Sequence, residues 1–107
     1  SPNIVYLNGV WKNNADNMEL ISDEGDAVLV YSAKAVNIVA GKKSELEVFV
    51  DGKIADENNE GSDAVDGKAN VDEQRLYNLV FAKDYGAHLI QIKMKGKGFQ
   101  IYTFTFG

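Results

Sequence analysis

Cysteine is absent from this 107-residue sequence, which removes disulfide scaffolds, thiolate metal sites and thiol redox chemistry together. The fold must hold by packing alone. The absence does not locate the protein, because a domain with an adequate core needs no disulfide even in an oxidising compartment. Proline occurs once, at Pro2, so nothing bars later strands from central places in a sheet. No apolar run approaches the roughly 20 residues that span a bilayer. The first residues carry neither the basic stretch nor the apolar core of a signal peptide, so no membrane contact is expected of this chain itself. Basic residues are outnumbered, 11 Lys+Arg against 16 Asp+Glu, for a net charge of −5. That balance repels polyphosphate and anionic lipid and speaks against nucleic acid as a partner.

What remains is ordinary for a folded protein: 45% hydrophobic and 25% charged residues, with a length that suits one continuous core. Residues 1–107 read as a single domain. The Ser1-Pro2 start, with no initiator Met, reads as a fragment cut from a longer protein.

The hydrophobic pattern alternates with step two and never sustains a helical period. Strands are expected at Ile4–Leu7, Val10–Lys12, Met18–Ile21, Asp26–Ala33, Val36–Ala40, Glu45–Asp51, Ala69–Val71, Leu76–Ala82, Ala87–Lys95 and Phe99–Phe106, about nine or ten short strands at the spacing of a sandwich or barrel. Turns are expected at Asn8-Gly9, Ser32–Ala35 and Asp51-Gly52, and a hairpin at Gly96-Lys97-Gly98 between the last two strands. Asp72–Arg75 is the one place where an acidic start can nucleate a helical turn. From Asp51 to Gly67 the chain is polar and rich in Gly, Asn and Asp, a long loop of the kind that usually has a task or is mobile.

Candidate chemistry is sparse. His88, the only histidine, falls in phase with Ile90, Ile92 and Met94. It reads as a packed ring with satisfied nitrogens in preference to a general base, and no Ser or Cys signature accompanies it. The loop acids Asp51, Asp56, Glu57, Glu60, Asp63 and Asp66 are oxygen ligands of the type calcium prefers, but their spacing matches no calcium loop, and a solvated polar loop is the plainer reading. No metal or other cofactor is expected. Phe49 is set on an outward face by the alternation, between Glu47 and Asp51, where an aromatic plane beside acceptors can stack on a sugar ring. Trp11, beside the Asn8-Gly9 turn, is a second platform of that kind. Trp11, Phe49, Glu45, Glu47 and Asp51 are therefore the candidate ligand-binding residues, weighed against burial, the usual fate of large aromatics. Arg75, the only arginine, can pair bidentately with Asp63 or Asp72 to pin the end of the loop.

Three stretches carry a family resemblance: YLNGVW at Tyr6–Trp11, GSDAVDGKANVDEQRLYNLV at Gly61–Val80, and GKGFQIYTFTFG at Gly96–Gly107. With DAVLVYSAKAVNIVAG at Asp26–Gly41 and VFVDG at Val48–Gly52, they cover nearly the whole chain. They resemble the C-terminal domain that follows the thioredoxin-like domain in DipZ-type thiol-disulfide oxidoreductases. The resemblance implies an all-β antiparallel two-sheet sandwich, a jelly roll similar to carbohydrate-binding modules. It also implies an extracytoplasmic place and a thioredoxin-like partner domain carrying the redox cysteines. Within this sandwich Leu76 with Val80, and Tyr102 with Phe104 and Phe106, are expected on inner faces, and Gly61–Val71 is expected to cross one end as irregular structure. The function expected is a non-catalytic accessory module that binds carbohydrate. The alternative is a protein-interaction or dimerisation domain packing on the thioredoxin-like domain.

A chain with no thiol and no triad should neither reduce insulin nor turn over chromogenic glycosides and esters. Turnover that copurifies with the isolated chain and disappears in His88→Ala would overturn that expectation.

Overall fold

The computed structural model describes residues 4–107, so the Ser1-Pro2 start lies outside the described residues. Nine strands follow in order: β1 (Tyr6–Asn8), β2 (Trp11–Asn13), β3 (Met18–Leu20), β4 (Glu24–Gly41), β5 (Ser44–Val50), β6 (Lys53–Ile54), β7 (Lys68–Val71), β8 (Arg75–Lys95) and β9 (Gln100–Phe106). Every strand pairing is antiparallel. No helix occurs among the described residues, and Asp72–Arg75 forms a bend leading into β8.

Two strands are much longer than the sequence indicates. Asp26–Ala33 and Val36–Ala40 belong to one strand of 18 residues, with no turn at Ser32–Ala35, and Leu76–Ala82 and Ala87–Lys95 belong to one of 21. At roughly 3.3 Å per residue these would run about 60 and 70 Å if straight. The longest dimension of the molecule is 35 Å. Both strands therefore bend, and they bend together. The register breaks between Ala33, opposite Gly86, and Ala35, opposite Phe81, so that Ala82–Tyr85 stand against Lys34 alone. The amides freed by this bulge are taken up by the end of the chain: Lys34 and Ala35 N–H donate to the Gly107 carbonyl at 2.7 and 3.1 Å.

The bend turns one ladder into two layers. In the first, the leading half of β4 pairs with the trailing half of β8, β1 lies outside β4, β5 lies outside β8, and β6 and β7 share the far edge of β5. In the second, the trailing half of β4 pairs with the leading half of β8, and β9, β3 and β2 follow outward from β4. Gly96–Gly98 therefore carries the chain from one layer to the other and is not the expected hairpin, because β9 pairs with β4 and β3 and not with β8. Residues 59–63 cover the remaining edge of β8: Phe81 N–H donates to Asn59 O, and Gly61 N–H to Leu79 O, both at 3.0 Å. An open strand edge is a template for aggregation, and this segment closes it. Gly61–Val71 is thus irregular only over residues 61–67, and it does not simply cross one end. Its first part lies along β8 and its last residues form β7 against β5.

Side-chain alternation fills the space between the layers. The first layer contributes Leu29, Tyr31, Leu46, Val48, Ile90 and Ile92, and the second Val36, Ile38, Tyr77, Leu79, Phe99 and Leu20, all in one buried cluster. Each bulge shifts the parity of burial. Along β4 the buried residues are Ala27, Leu29, Tyr31 and Ala33, and beyond the bend Val36, Ile38 and Ala40. A second irregularity, Val36 opposite Val80 but Asn37 opposite Asn78, leaves Leu79 as the extra residue, so Leu79 and Val80 are both buried. Leu76 is consequently exposed while Val80 is core, against the expectation that both face inward. In β9 the register shift between Val39 and Ala40 makes Tyr102 the unpaired residue, and Ile101 takes the buried place expected of it.

The tetrapeptide Val-Asp-Gly-Lys occurs twice, at Val50–Lys53 and Val65–Lys68, and each copy is a hairpin turn closed by a Val–Lys pair. Asp51 and Gly52 have φ of 51° and 83°, and Asp66 and Gly67 of 54° and 76°, the two successive left-handed residues that make Asp-Gly the favoured two-residue hairpin. The end of the acidic loop is pinned as the sequence suggests. Arg75 reaches Asp63 with both terminal guanidinium nitrogens, at 3.1 and 3.4 Å, and lies 3.8 Å from the centroid of the Tyr77 ring. Asp63 Oδ2 also accepts from Asn78 N–H at 2.7 Å.

The approach of residues 59–63 to β8 depends on Gly61. A Cβ there would stand 2.3 Å from the Asn78 carbonyl oxygen, and that backbone is held in the ladder. Gly61→Ala should therefore cost about 2 kcal/mol or more in urea denaturation. A loss of a few tenths would mean that the segment does not lie on this edge.

Candidate functional site

The outer face of the first layer is where the structure gathers polar side chains. Alternation points the even residues of leading β4 and the odd residues of β5 and trailing β8 away from the core, and β1 and β7 extend the same face on either side. The result is a groove of about 690 Å³ whose lining includes Asn8, Asp26, Glu45, Glu47, Asn70 and Lys93. Rows run across it. Asn8, Asp26, Lys93, Glu47 and Lys68 stand in register from β1 to β7, and Glu24, Lys95, Glu45 and Asn70 form the next row. Asn8 Nδ2–H donates to Asp26 Oδ1 at 2.6 Å, and Gln91 Nε2–H to Asp26 Oδ2 at 3.3 Å, so this carboxylate is fixed at the floor.

Of the candidates named from the sequence, Glu45 and Glu47 line this groove. Phe49 follows them on the same outward face of β5, opposite Gln91, half-buried, with the Lys93 ammonium 5.0 Å from its ring centroid. The structure separates the other two from this group. Trp11 is half-buried against the core cluster, and its indole N–H donates to the Asn8 carbonyl at 2.8 Å, so it braces the Asn8-Gly9 turn. Asp51 sits in the β5–β6 hairpin turn with its carboxylate turned to β8.

Tyr6, Asn8, Asp26 and Lys93 belong to the face but were not singled out from the sequence. Tyr6 pairs with Val28 in β1 and is 58% exposed, an aromatic on the same side as Phe49. The outward phase of Asp26 and Lys93 was readable from their strands. Their convergence was not, because it depends on which strands are neighbours.

His88 lies where its phase puts it, in line with Ile90, but at the rim of the core. Its side chain is 33% exposed, its Nδ1 meets Asp51 Oδ2, and Tyr31 packs beside it at 5.9 Å between ring centroids. Asp51 Oδ1 also accepts from Leu89 N–H at 2.9 Å. These hydrogen bonds, the backbone one first and His88 second, hold the Asp51 carboxyl below the ordinary carboxylate range. Burial, with Asp51 nearby, pushes the Tyr31 phenol up to about 12. Burial works to raise the Asp63 carboxyl, but Arg75 and the Asn78 amide outweigh it and the net direction is down. The acidic loop bonds to itself, Asn58 N–H to Asp56 Oδ1 and Asp56 N–H to Asn59 Oδ1, both at 2.9 Å. Among the described residues no three His, Cys, Asp or Glu side chains converge as a metal site.

A second concavity, about 520 Å³, opens between the layers at the edge where β1 faces β9. Val5, Leu7, Met18, Phe104 and Phe106 line it, so it is apolar. Phe104 and Phe106 do face inward as expected, though Phe106 is exposed at the rim and stacks on Tyr31 at 6.1 Å.

The Asp51 clamp has a pH signature. A carboxyl whose folded pKa lies below its unfolded value contributes stability that is present above the unfolded value, about 4, and is lost as pH falls through the folded one. Urea denaturation from pH 7 to pH 2 should show this loss, and Asp51→Asn should be less stable at pH 7 with a shallower acid slope. Some slope should persist, since Asp63 is lowered too. An unchanged slope in Asp51→Asn would show that the clamp does not operate.

With the geometry in hand, the comparisons with known proteins are informative. No helix among the described residues is long and apolar enough to cross a membrane, and no curated protein sequence matches the chain significantly. A family two carbohydrate esterase from Clostridium thermocellum, solved with cellohexaose, superposes at a TM-score of 0.76 with 15% identity over 96% of this chain and 31% of its own. The family two carbohydrate esterase from Cellvibrio japonicus gives 0.63 with 12% identity, covering 91% of this chain and 31% of its own. The chain thus spans about a third of the length of these enzymes, and the likeness is one of fold, the antiparallel sandwich derived above. The sequence itself matches, over residues 1–107, the profile of the family described as thioredoxin like C-terminal domain. The chain belongs to the thioredoxin-like C-terminal domain family.

Proposed function

We propose that this domain is a non-catalytic accessory module of a DipZ-type thiol-disulfide oxidoreductase outside the cytoplasm, and that the groove on its first layer binds a glycan. The observation that carries the reading is the groove itself. Acceptors at Asp26, Glu45 and Glu47, and amides at Asn8 and Asn70, converge on one face beside an outward aromatic, Phe49. Sugars present hydroxyls in the plane of the ring and C–H groups on its faces, so a polar floor with an aromatic at its margin fits both. The cellohexaose complex of the structurally similar esterase lends support through fold alone. The module role rests on the family and on this chain having no cysteine for the redox step.

Calorimetry against oligosaccharides of cell-envelope polymers tests this reading. Binding should weaken by about 1 kcal/mol or more in Phe49→Ala, on the scale of interface aromatics, while Trp11→Ala should act through stability. If no sugar binds the folded wild type, the carbohydrate reading is wrong.

One observation favours the protein-interaction reading: the apolar cleft formed by Val5, Leu7, Phe104 and Phe106 is exposed hydrophobic surface of the sort that marks protein contacts. In that reading the domain docks on its thioredoxin-like neighbour or on a second copy. Concentration-dependent sedimentation abolished by Phe104→Ser would support it.

A further inference from the structure

The groove is lined by alternating charge, and this narrows what it can hold. One row reads Asp26, Lys93, Glu47, Lys68 across four adjacent strands. Neighbouring strands are about 5 Å apart, so the sign of the charge reverses at about that interval. The next row, two residues along, places Glu24, Lys95 and Glu45 side by side. A face built for a polyanion would be lysine-rich, and one for a polycation carboxylate-rich. A neutral sugar chain can give its hydroxyls to the carboxylates, but it brings no counter-charge for the ammonium groups of Lys93 and Lys68, which lose water on binding.

Cross-strand opposite charges can also serve the sheet alone. The distances argue against that use here. Among the described residues Asp26, Lys93, Glu47 and Lys68 close no ion pair with one another, and Lys95 reaches Glu24 only at 3.9 Å. Glu45, Glu47, Lys68 and Lys93 are all exposed. The Lys93 ammonium instead hangs 5.0 Å from the Phe49 ring centroid, at the step from the charged rows to the aromatic. Glu45, Glu47, Lys68 and Lys93 are left with donors and acceptors open to the groove, whereas Asp26 is held by Asn8 and Gln91.

From this we infer that the ligand is a zwitterionic glycan, a sugar chain bearing both ammonium and carboxylate groups. The inference rests on the glycan reading of the same groove and specifies its chemistry. Carboxylates of the ligand meet Lys93 and Lys68, ammonium groups meet Glu47 and Glu45, and the face of a sugar ring lies on Phe49.

Four probes distinguish the outcomes in calorimetry with the whole chain: a muramyl disaccharide-peptide with free amine and carboxylates, a chitosan hexamer, a hexagalacturonate and cellohexaose. The disaccharide-peptide should bind at least about tenfold more tightly than the other three, with affinity falling as salt is raised from about 0.05 to 0.5 M. Lys93→Gln and Glu47→Gln should each weaken it severalfold with an unchanged melting temperature. A falling melting temperature with unchanged affinity would instead assign these charges to the sheet. Cellohexaose binding as tightly as the disaccharide-peptide and without salt dependence would overturn the zwitterion inference and leave the glycan reading standing. Preference for either singly charged polymer would do the same. If none of the four binds, the glycan reading itself fails.

Discussion

The pairing of β4 with β8 is the constraint on which everything else in this molecule hangs. Both strands exceed what a molecule of this size can hold straight, so the ladder they form must fold across the core and supply the centre of both layers. The other strands build outward from this pair: β1 and β9 attach to β4 and β5 to β8, then β3 to β9, β6 and β7 to β5, and β2 to β3. The antiparallel arrangement lets the backbone bonds persist on both sides of the bend, and the amides it frees are met by the Gly107 carbonyl. Gly107 is therefore part of the hinge between the layers.

The functional face is a product of the same pairing. β5 reaches β8 only along its trailing half, so the carboxylates of Glu45 and Glu47 stand beside Lys95 and Lys93, and beyond them Glu24 and Asp26 of β4. Alternation that buries Leu46 and Val48 necessarily exposes Glu45 and Glu47. Core and groove are two sides of one strand pattern, and a slip of one residue would exchange them. The turns hold that register. Asp51 is fixed by backbone and histidine at the end of β5, and the second Asp-Gly turn sets β7 beside it. The acidic loop, whose spacing matched no calcium loop, is mostly edge cover and turn.

Bulges decide which residues the two concavities show. The extra residue at Leu79 inverts the parity of leading β8, exposing Leu76 and sending Tyr77 inward, where its hydroxyl donates to the Glu73 carbonyl at 2.7 Å and accepts from Asp72 N–H at 3.1 Å. The shift at Tyr102 does the same in β9 and leaves Phe104 and Phe106 at the apolar edge cleft. Without these two irregularities the edge cleft would be lined by a different set of side chains.

The sequence by itself determined the all-β class, most strand positions, the capacity of the Asp51-Gly52 turn for left-handed backbone, the role of Arg75 in pinning the loop through Asp63 or Asp72, and the outward phase of Glu45, Glu47 and Phe49. These are local properties: a period of two, a turn dipeptide, a lone guanidinium near a carboxylate. Only the tertiary structure decided that Ser32–Ala35 is a bend within a strand, that Leu76 is outside and Tyr77 inside, that Trp11 braces a turn, and that Asp51 meets His88 and the Leu89 amide. It also decided that Asn8, Asp26, Lys93 and Lys68 share a row with Glu47. The reason is that a strand's alternation fixes its two faces but not its neighbours. Neighbours, and the single extra residues that shift parity, are set by how long strands must fold to close one core.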